Sequence, residues 1–371
     1  MGEENEKRNR FQEAFKRGQK GEISDYEAWL NERGIQPERA TAEYVTRYFE
    51  ENPEEAPNHD DQLEDIAEFI GFFSERDGTY HIPIVGINGI GKTQLLHTIR
   101  HMLESLGTDL PSKLYEAGRF KEDNHQGEPY WEDVLYELSE LERAVVLVDN
   151  CYEDKRIKHS LEKISETVEN SFIITTWTPE QWRMHQEEID EAVQVSKEAE
   201  LTPLNEKDTV KALRKTLEII SEKTVEVKDE FYRRIYSKSL GIPGLFHTLL
   251  RASLKETFLK ELDLGDTKAV DSAVEKLDLD NAEERIYDLS EKKIIILKHI
   301  LLSRHPQGRR PSELVELMDK DKSTISYHLQ NLISDRVLQK EKAGRSTFYS
   351  IHEPLKPILQ LRVNGEGEIH A

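Results

Sequence analysis

An apolar run that feeds a glycine-rich turn, then a lysine, a threonine and an amphipathic segment, leaves a chain few ways to fold. Residues 80–96, YHIPIVGINGIGKTQLL, have that order. Gly86, Gly91, Lys92 and Thr93 fill the pattern G-x-x-x-x-G-K-[ST], with Asn88 and Gly89 inside the turn. Positions without bulky side chains let successive backbone N–H groups curl around a phosphate, and the start of the following helix adds its positive end. Lys92 then supplies a mobile positive charge for the outer phosphates, and Thr93 a hydroxyl for Mg²⁺. Residues 82–85 read as the strand before the loop and 93–106 as the helix after it.

From 62 to 200 strand and helix patterns alternate, which predicts a mostly parallel sheet with helices on both faces. Together with the loop this is the pattern of an α/β P-loop NTPase core. Residues 144–149, AVVLVD, form a continuous apolar strand that delivers Asp149 at its C-terminal edge, where open α/β sheets bind ligands and a carboxylate can hold Mg²⁺. Lys92 and Asp149 are 57 positions apart, which leaves room for an intervening strand and helix. The next residue is Asn150, whose amide can orient a water but cannot take its proton; Glu153 and Asp154 are the nearest acids after it. Slow hydrolysis, or hydrolysis completed by a partner, is the expectation. Residues 171–176, SFIITT, are a further buried strand ending in Thr175 and Thr176, either of which can sense a terminal phosphate. Thr175 is the catalytic candidate beside Lys92, Asp149 and Asn150. Arg183 is the nearest arginine that can report charge.

A chain of 371 residues can bury more than one core. Lys and Arg total 51 against 73 Asp and Glu, and a net charge of −22 repels DNA and anionic membranes on average, so any nucleic-acid site must be local. Cys151 is the single cysteine, which excludes an internal disulfide and a cysteine-built zinc site. With no apolar signal at its start and no apolar run near membrane-spanning length, the chain is expected to be cytoplasmic and to have no membrane partner. Helical spacings occur at Phe11 with Phe15, at Tyr26, Trp29 and Leu30, and at Tyr44, Val45, Tyr48 and Phe49. They make 1–60 an N-terminal helical segment that ends in a linker and serves as a cap or docks a protein partner. The core follows at 61–200, a helical lid and charged connector at 201–288, and a further domain with a tail at 289–371.

The order of motifs carries a resemblance. The loop GINGIGKT, the strand VVLVDN, the IITTW strand, a TPL turn before a helix and the GIPG element together resemble the STAND and AAA+ ATPases across about residues 80–255. Within these they are similar to the NB-ARC-like nucleotide switches and the archaeal origin-recognition ATPases. The resemblance implies ATP with Mg²⁺ as ligands, homo-oligomers built through neighbouring cores, and a Gly-x-Pro turn of the lid that packs on the nucleotide base, here Pro243. Two positions depart from it. Trp177 stands where NB-ARC switches carry an arginine, and no arginine follows directly after the Gly-Pro turn, although Arg251 lies one helical stretch further on.

Beyond residue 289 the pattern changes to helices at 292–302, 311–318 and 322–333 and an alternating hairpin around KAGRS. This order resembles the ArsR/MarR-type winged helix across about 290–352, which implies contact with duplex DNA. Ser323, Thr324, Ser326, Tyr327 and Gln330 occupy the outward face of the third helix, while Lys340, Lys342 and Arg345 lie on the wing. Residues 291–350 hold 12 Lys and Arg against 7 Asp and Glu, a net +5 that leaves −27 on the rest. The chain therefore reads as an ATP-binding switch that controls a winged helix and regulates duplex DNA. An initiator of the origin-recognition type, and a signalling ATPase whose winged helix binds protein, are the alternatives.

Overall fold

A helix with apolar residues every three or four positions needs cover, and the N-terminal helices find theirs within the chain. The computed structural model describes residues 24–56, 59–107, 109–119, 130–305 and 307–365; the Phe11 and Phe15 spacing lies outside them. Helix α1 (Asp25–Glu32) starts on a capping box between Ser24 and Glu27, and α2 (Ala42–Glu51) on the side chain of Thr41. Tyr26 and Trp29 lie against Phe258, and Phe49 against His247. The apolar faces expected to dock a protein partner are thus covered by the lid. The expected linker holds a 3₁₀ turn at Pro53–Glu55 and a buried His59, directly followed by α3 (Asp60–Ser74).

Strands β1 (Thr79–Gly86), β2 (Ser112–Glu116), β3 (Arg143–Asp149), β4 (Asn170–Trp177) and β5 (Ala199–Leu201) lie in the order β2-β3-β4-β1-β5, each neighbouring pair parallel. Their side chains alternate between two separate cores. Ile82, Ile84, Val145, Leu147, Phe172 and Ile174 face α3 and α4 (Lys92–Ser105). Val85, Val146, Val148 and Ile173 face α5 (Tyr130–Ser139), α6 (Ile157–Thr167) and α7 (Pro179–Ala192). A sheet buried on both sides is what the uninterrupted apolar strands require. The short strand β5 has no such run in the sequence.

Helices α8 (Glu206–Ile220), α9 (Asp229–Ser239) and α10 (Pro243–Leu259) form the lid. The stretch expected as a connector is instead helical, α11 (Thr267–Lys276) and α12 (Ala282–Tyr287). Ala269, Val270, Ala273 and Val274 recur at helical spacing there and are buried as α11 packs on α10. Then follow α13 (Glu291–Leu301), α14 (Pro311–Met318), α15 (Lys322–Ser334) and an antiparallel hairpin of β6 (Leu338–Ala343) and β7 (Ser346–Ile351), the order expected for this region. The expected tail contains α16 (Lys356–Gly365), with Ile358, Leu359 and Val363 buried. No helix among the described residues is long and apolar enough to cross a membrane.

Candidate functional site

Alternation along the strands decides which side chains reach the phosphate loop. Asp149 shares a face with Val145 and Leu147, and Thr176 with Phe172 and Ile174, the face on which α4 packs. Thr93, at the head of α4, donates its hydroxyl to Asp149 Oδ2 at 2.6 Å. The Thr176 hydroxyl donates to Asp149 Oδ1 and accepts from the Asn150 backbone N–H at 2.8 Å. Asn150 has φ 53°, a left-handed conformation that asparagine tolerates, and its own N–H also reaches Asp149 Oδ1 at 3.0 Å. The Thr93 hydroxyl and Asp149 carboxylate are hard oxygen donors side by side. They fit an Mg²⁺ ion that keeps the rest of its shell as water and phosphate oxygens.

Thr175 points the other way. Its Oγ1 lies 2.8 Å from His81 Nε2 and accepts from Trp177 Nε1 at 2.8 Å, in the core beneath α7. The structure therefore removes Thr175 from the site and brings Thr176 to it. Arg183 is also committed elsewhere, donating to Pro179 O and to Asn364 Oδ1. Of the two acids after Asn150, Asp154 is likewise bonded elsewhere. Asp154 accepts from Arg156 N at 2.9 Å and from Ser160 Oγ, while the exposed Glu153 lies over Gly118.

The loop holds itself ready for an anion. Lys92 Nζ donates to Gly86 O at 2.7 Å and to Ile87 O at 3.1 Å, and burial pushes its pKa down to about 8 against the pull of Asp149 and Glu180. Gly91, at φ 113°, starts α4, and His59, its pKa lowered by burial, donates Nε2–H to Ile90 O at 2.9 Å from behind.

A cavity of about 410 Å³ opens beside the loop. Asn88, Gly89, Gly91, Lys92, Thr93 and Asn150 line one side, Pro243, Gly244, His247 and Arg251 of the lid a second, and Val45 and Phe49 of α2 a third. The lid meets the loop through backbone: Gly244 N donates to Gly89 O at 2.9 Å, and a Cβ on Gly244 would stand 3.1 Å from Gly89 Cα. Burial pushes His247 down to about 3, so its ring is a neutral wall. Arg251 touches Thr248 Oγ1 at 3.5 Å and pairs with no carboxylate among the described residues, which leaves its guanidinium available to a phosphate. The helical spacing of Val45 and Phe49 was visible in the sequence; their place on the cavity was not.

The C-terminal unit rests directly on this site. Asn88 N donates to Gln360 Oε1 at 2.7 Å, and Gln360 Nε2 donates to Glu180 Oε2 at 3.1 Å. Three residues beyond Asp149, Tyr152 donates its hydroxyl to Leu302 O at 2.7 Å, with Arg304 over its ring at 4.6 Å. On α15, Ser326, Tyr327 and Gln330 are exposed, as are Lys340, Lys342 and Arg345 on the hairpin. Ser323 and Thr324 differ: both hydroxyls donate to the N-cap Asp321, and these bonds hold its carboxyl well below the usual range. The head of α15 thus carries an acid of its own.

Loop, parallel sheet and helical elements define an α/β P-loop NTPase fold. No family model matches the sequence, and no curated protein matches it. Among solved structures, the chain is similar to the Aeropyrum pernix ORC1 protein in complex with DNA. The TM-score is 0.52 at 13% identity, covering 89% of this chain and 97% of that one. A Drosophila ORC structure bound to DNA gives 0.47 at 14%, covering 83% and 87%. The Thermotoga maritima RuvB Holliday junction branch migration motor gives 0.46 at 17%, covering 79% and 92%. At such identities the likeness is one of fold.

Proposed function

We propose that this chain is an AAA+-type nucleotide switch that binds ATP with Mg²⁺, hydrolyses it slowly, and sets the affinity of a C-terminal winged helix for duplex DNA. The observation that carries the coupling is the Gln360 contact: a residue of the C-terminal unit occupies a backbone donor of the phosphate loop. Phosphates draw on the other N–H groups of that loop, so the ligand and the docked unit bear on the same turn of backbone. In this reading Lys92 and the loop amides take the β- and γ-phosphates, and Thr93 with Asp149 holds Mg²⁺. Asn150 and Thr176 orient Asp149, Arg251 takes a phosphate, and Pro243 with Val45 and Phe49 encloses the base. Ser326, Tyr327 and Gln330 meet the groove, and Lys340, Lys342 and Arg345 meet the backbone. Oligomers form through neighbouring cores.

DNA binding over a salt series, with ATP, with ADP and with Lys92→Ala, tests it. Affinity should fall with salt and differ several-fold between nucleotides in the wild type only. A second reading, a replication initiator, draws on the ORC1 likeness, that protein having been solved in complex with DNA; a footprint confined to one duplex site would favour it. ATP binding with no DNA binding in any state would turn the winged helix into a protein-docking surface, a result that the acid at the head of α15 would help explain.

A further inference from the structure

Asn150 leaves the nucleotide site without the acid that a hydrolytic water needs beside Asp149; Asp154 is bonded to Arg156 N and Ser160 Oγ, and the exposed Glu153 lies over Gly118. Among the described residues two further carboxyl groups lie near: Glu50, on the α2 side of the cavity with Val45 and Phe49, and Glu180, reached through the phosphate loop. Glu180 lies at the start of α7, just past the C-terminal end of β4, the strand between the Asp149 strand and the phosphate-loop strand. Its residue is only 8% exposed.

Donor chemistry fixes how it is held. The Asn88 N–H can only donate, so Gln360 presents its carbonyl oxygen there, and its NH₂ group is turned to Glu180 Oε2. One glutamine thereby clamps the carboxyl group to the phosphate loop. The other oxygen, Glu180 Oε1, is buried and has no hydrogen-bond partner. A buried acceptor left bare is costly, and one tied through a single glutamine to the phosphate loop points to a group that arrives with the ligand. Electrostatically, Glu180 already acts on Lys92, so it is within range of the charges around the phosphates.

Resting on the nucleotide reading above, we propose that Glu180 is the general base for ATP hydrolysis, with Gln360 as its positioning residue. Water bonds through its oxygen to the γ-phosphorus. The bond from that phosphorus to the β,γ-bridging oxygen breaks, its electron pair leaving with ADP. The water proton passes to Glu180 Oε1 and on to solvent as phosphate departs. The base thus comes from the helix that follows the strand next to the Mg²⁺ strand, and a residue of the C-terminal unit keeps it in place.

The full-length chain is assayed for ATP binding by equilibrium titration and for cleavage by single turnover, as wild type, Glu180→Gln, Gln360→Ala and Glu153→Gln. Glu180→Gln should bind ATP within about twofold of wild type and cleave it about 100-fold more slowly or worse. Gln360→Ala should lower kcat about tenfold with little change in KM, and Glu153→Gln should change neither. Cleavage by Glu180→Gln within threefold of wild type overturns the assignment. So does loss of ATP binding in that variant alone, which would make Glu180 a structural group. Wild type that binds ATP without cleaving it removes the base but leaves the nucleotide reading intact; wild type that binds no ATP removes both.

Discussion

Lys92 carries a charge that depends on its surroundings. Burial brings it to about pKa 8, and anionic phosphates would raise it again. A group whose pKa rises on binding favours the ligand while it is protonated in the free protein. Nucleotide affinity should therefore be flat below pH 8 and fall about tenfold per unit above it, measurable by titration between pH 7 and 9.5. The two strand-end threonines offer a sharper contrast. Thr176→Val removes the hydroxyl that joins Asp149 to Asn150 and should weaken Mg²⁺-dependent binding about tenfold. Thr175→Val strands His81 and Trp177 in the core, which should cost about 1–3 kcal/mol of stability with nucleotide affinity unchanged. Their alternation is plain in SFIITT, yet sequence alone could not say which face turns to α4. Thr176, and not the expected Thr175, is the hydroxyl beside Asp149.

At the scale of elements, legibility follows the strength of local patterning. β1, β3 and β4 are apolar runs bounded by turns, and the loop between β1 and α4 needs its glycines in order, so both were readable. β5 and α16 were not, since three residues or a few scattered Ile, Leu and Val acquire meaning only against the surfaces they cover. The same holds for α11, whose Ala and Val pairs sit among charges. In the GIPG turn the glycines do as much as the proline. Gly241 has φ 72°, accepts from Leu204 N at 3.0 Å, and a Cβ there would fall 2.0 Å from Leu204 O. Gly241→Ala should therefore destabilise the fold by about 2–3 kcal/mol in urea unfolding, well beyond an exposed Gly→Ala change.

Across the whole molecule, the basic island of 291–350 belongs to a unit fastened to the edge of the sheet where Asp149, Glu180 and the phosphate loop converge. No sequence pattern announces such fastening: Tyr152 and Gln360 stand in no motif, and Arg183, which the sequence offers as a charge sensor, turns to Asn364 only once the chain is folded. If docking transmits nucleotide state to DNA, weakening it at points outside the cavity should uncouple the two. Tyr152→Phe keeps the ring under Arg304 but loses the bond to Leu302 O, and Arg183→Ala loses the bond to Asn364 Oδ1. Each removes about 1 kcal/mol, and typical coupling is about 1–3 kcal/mol. The double variant should bind ATP and ADP nearly as wild type does, while the ratio of its DNA affinities in the two states collapses toward one. Small-angle scattering should register a larger radius of gyration for it in the same solutions. An unchanged ratio with an expanded particle would mean that this edge holds the unit without carrying the signal.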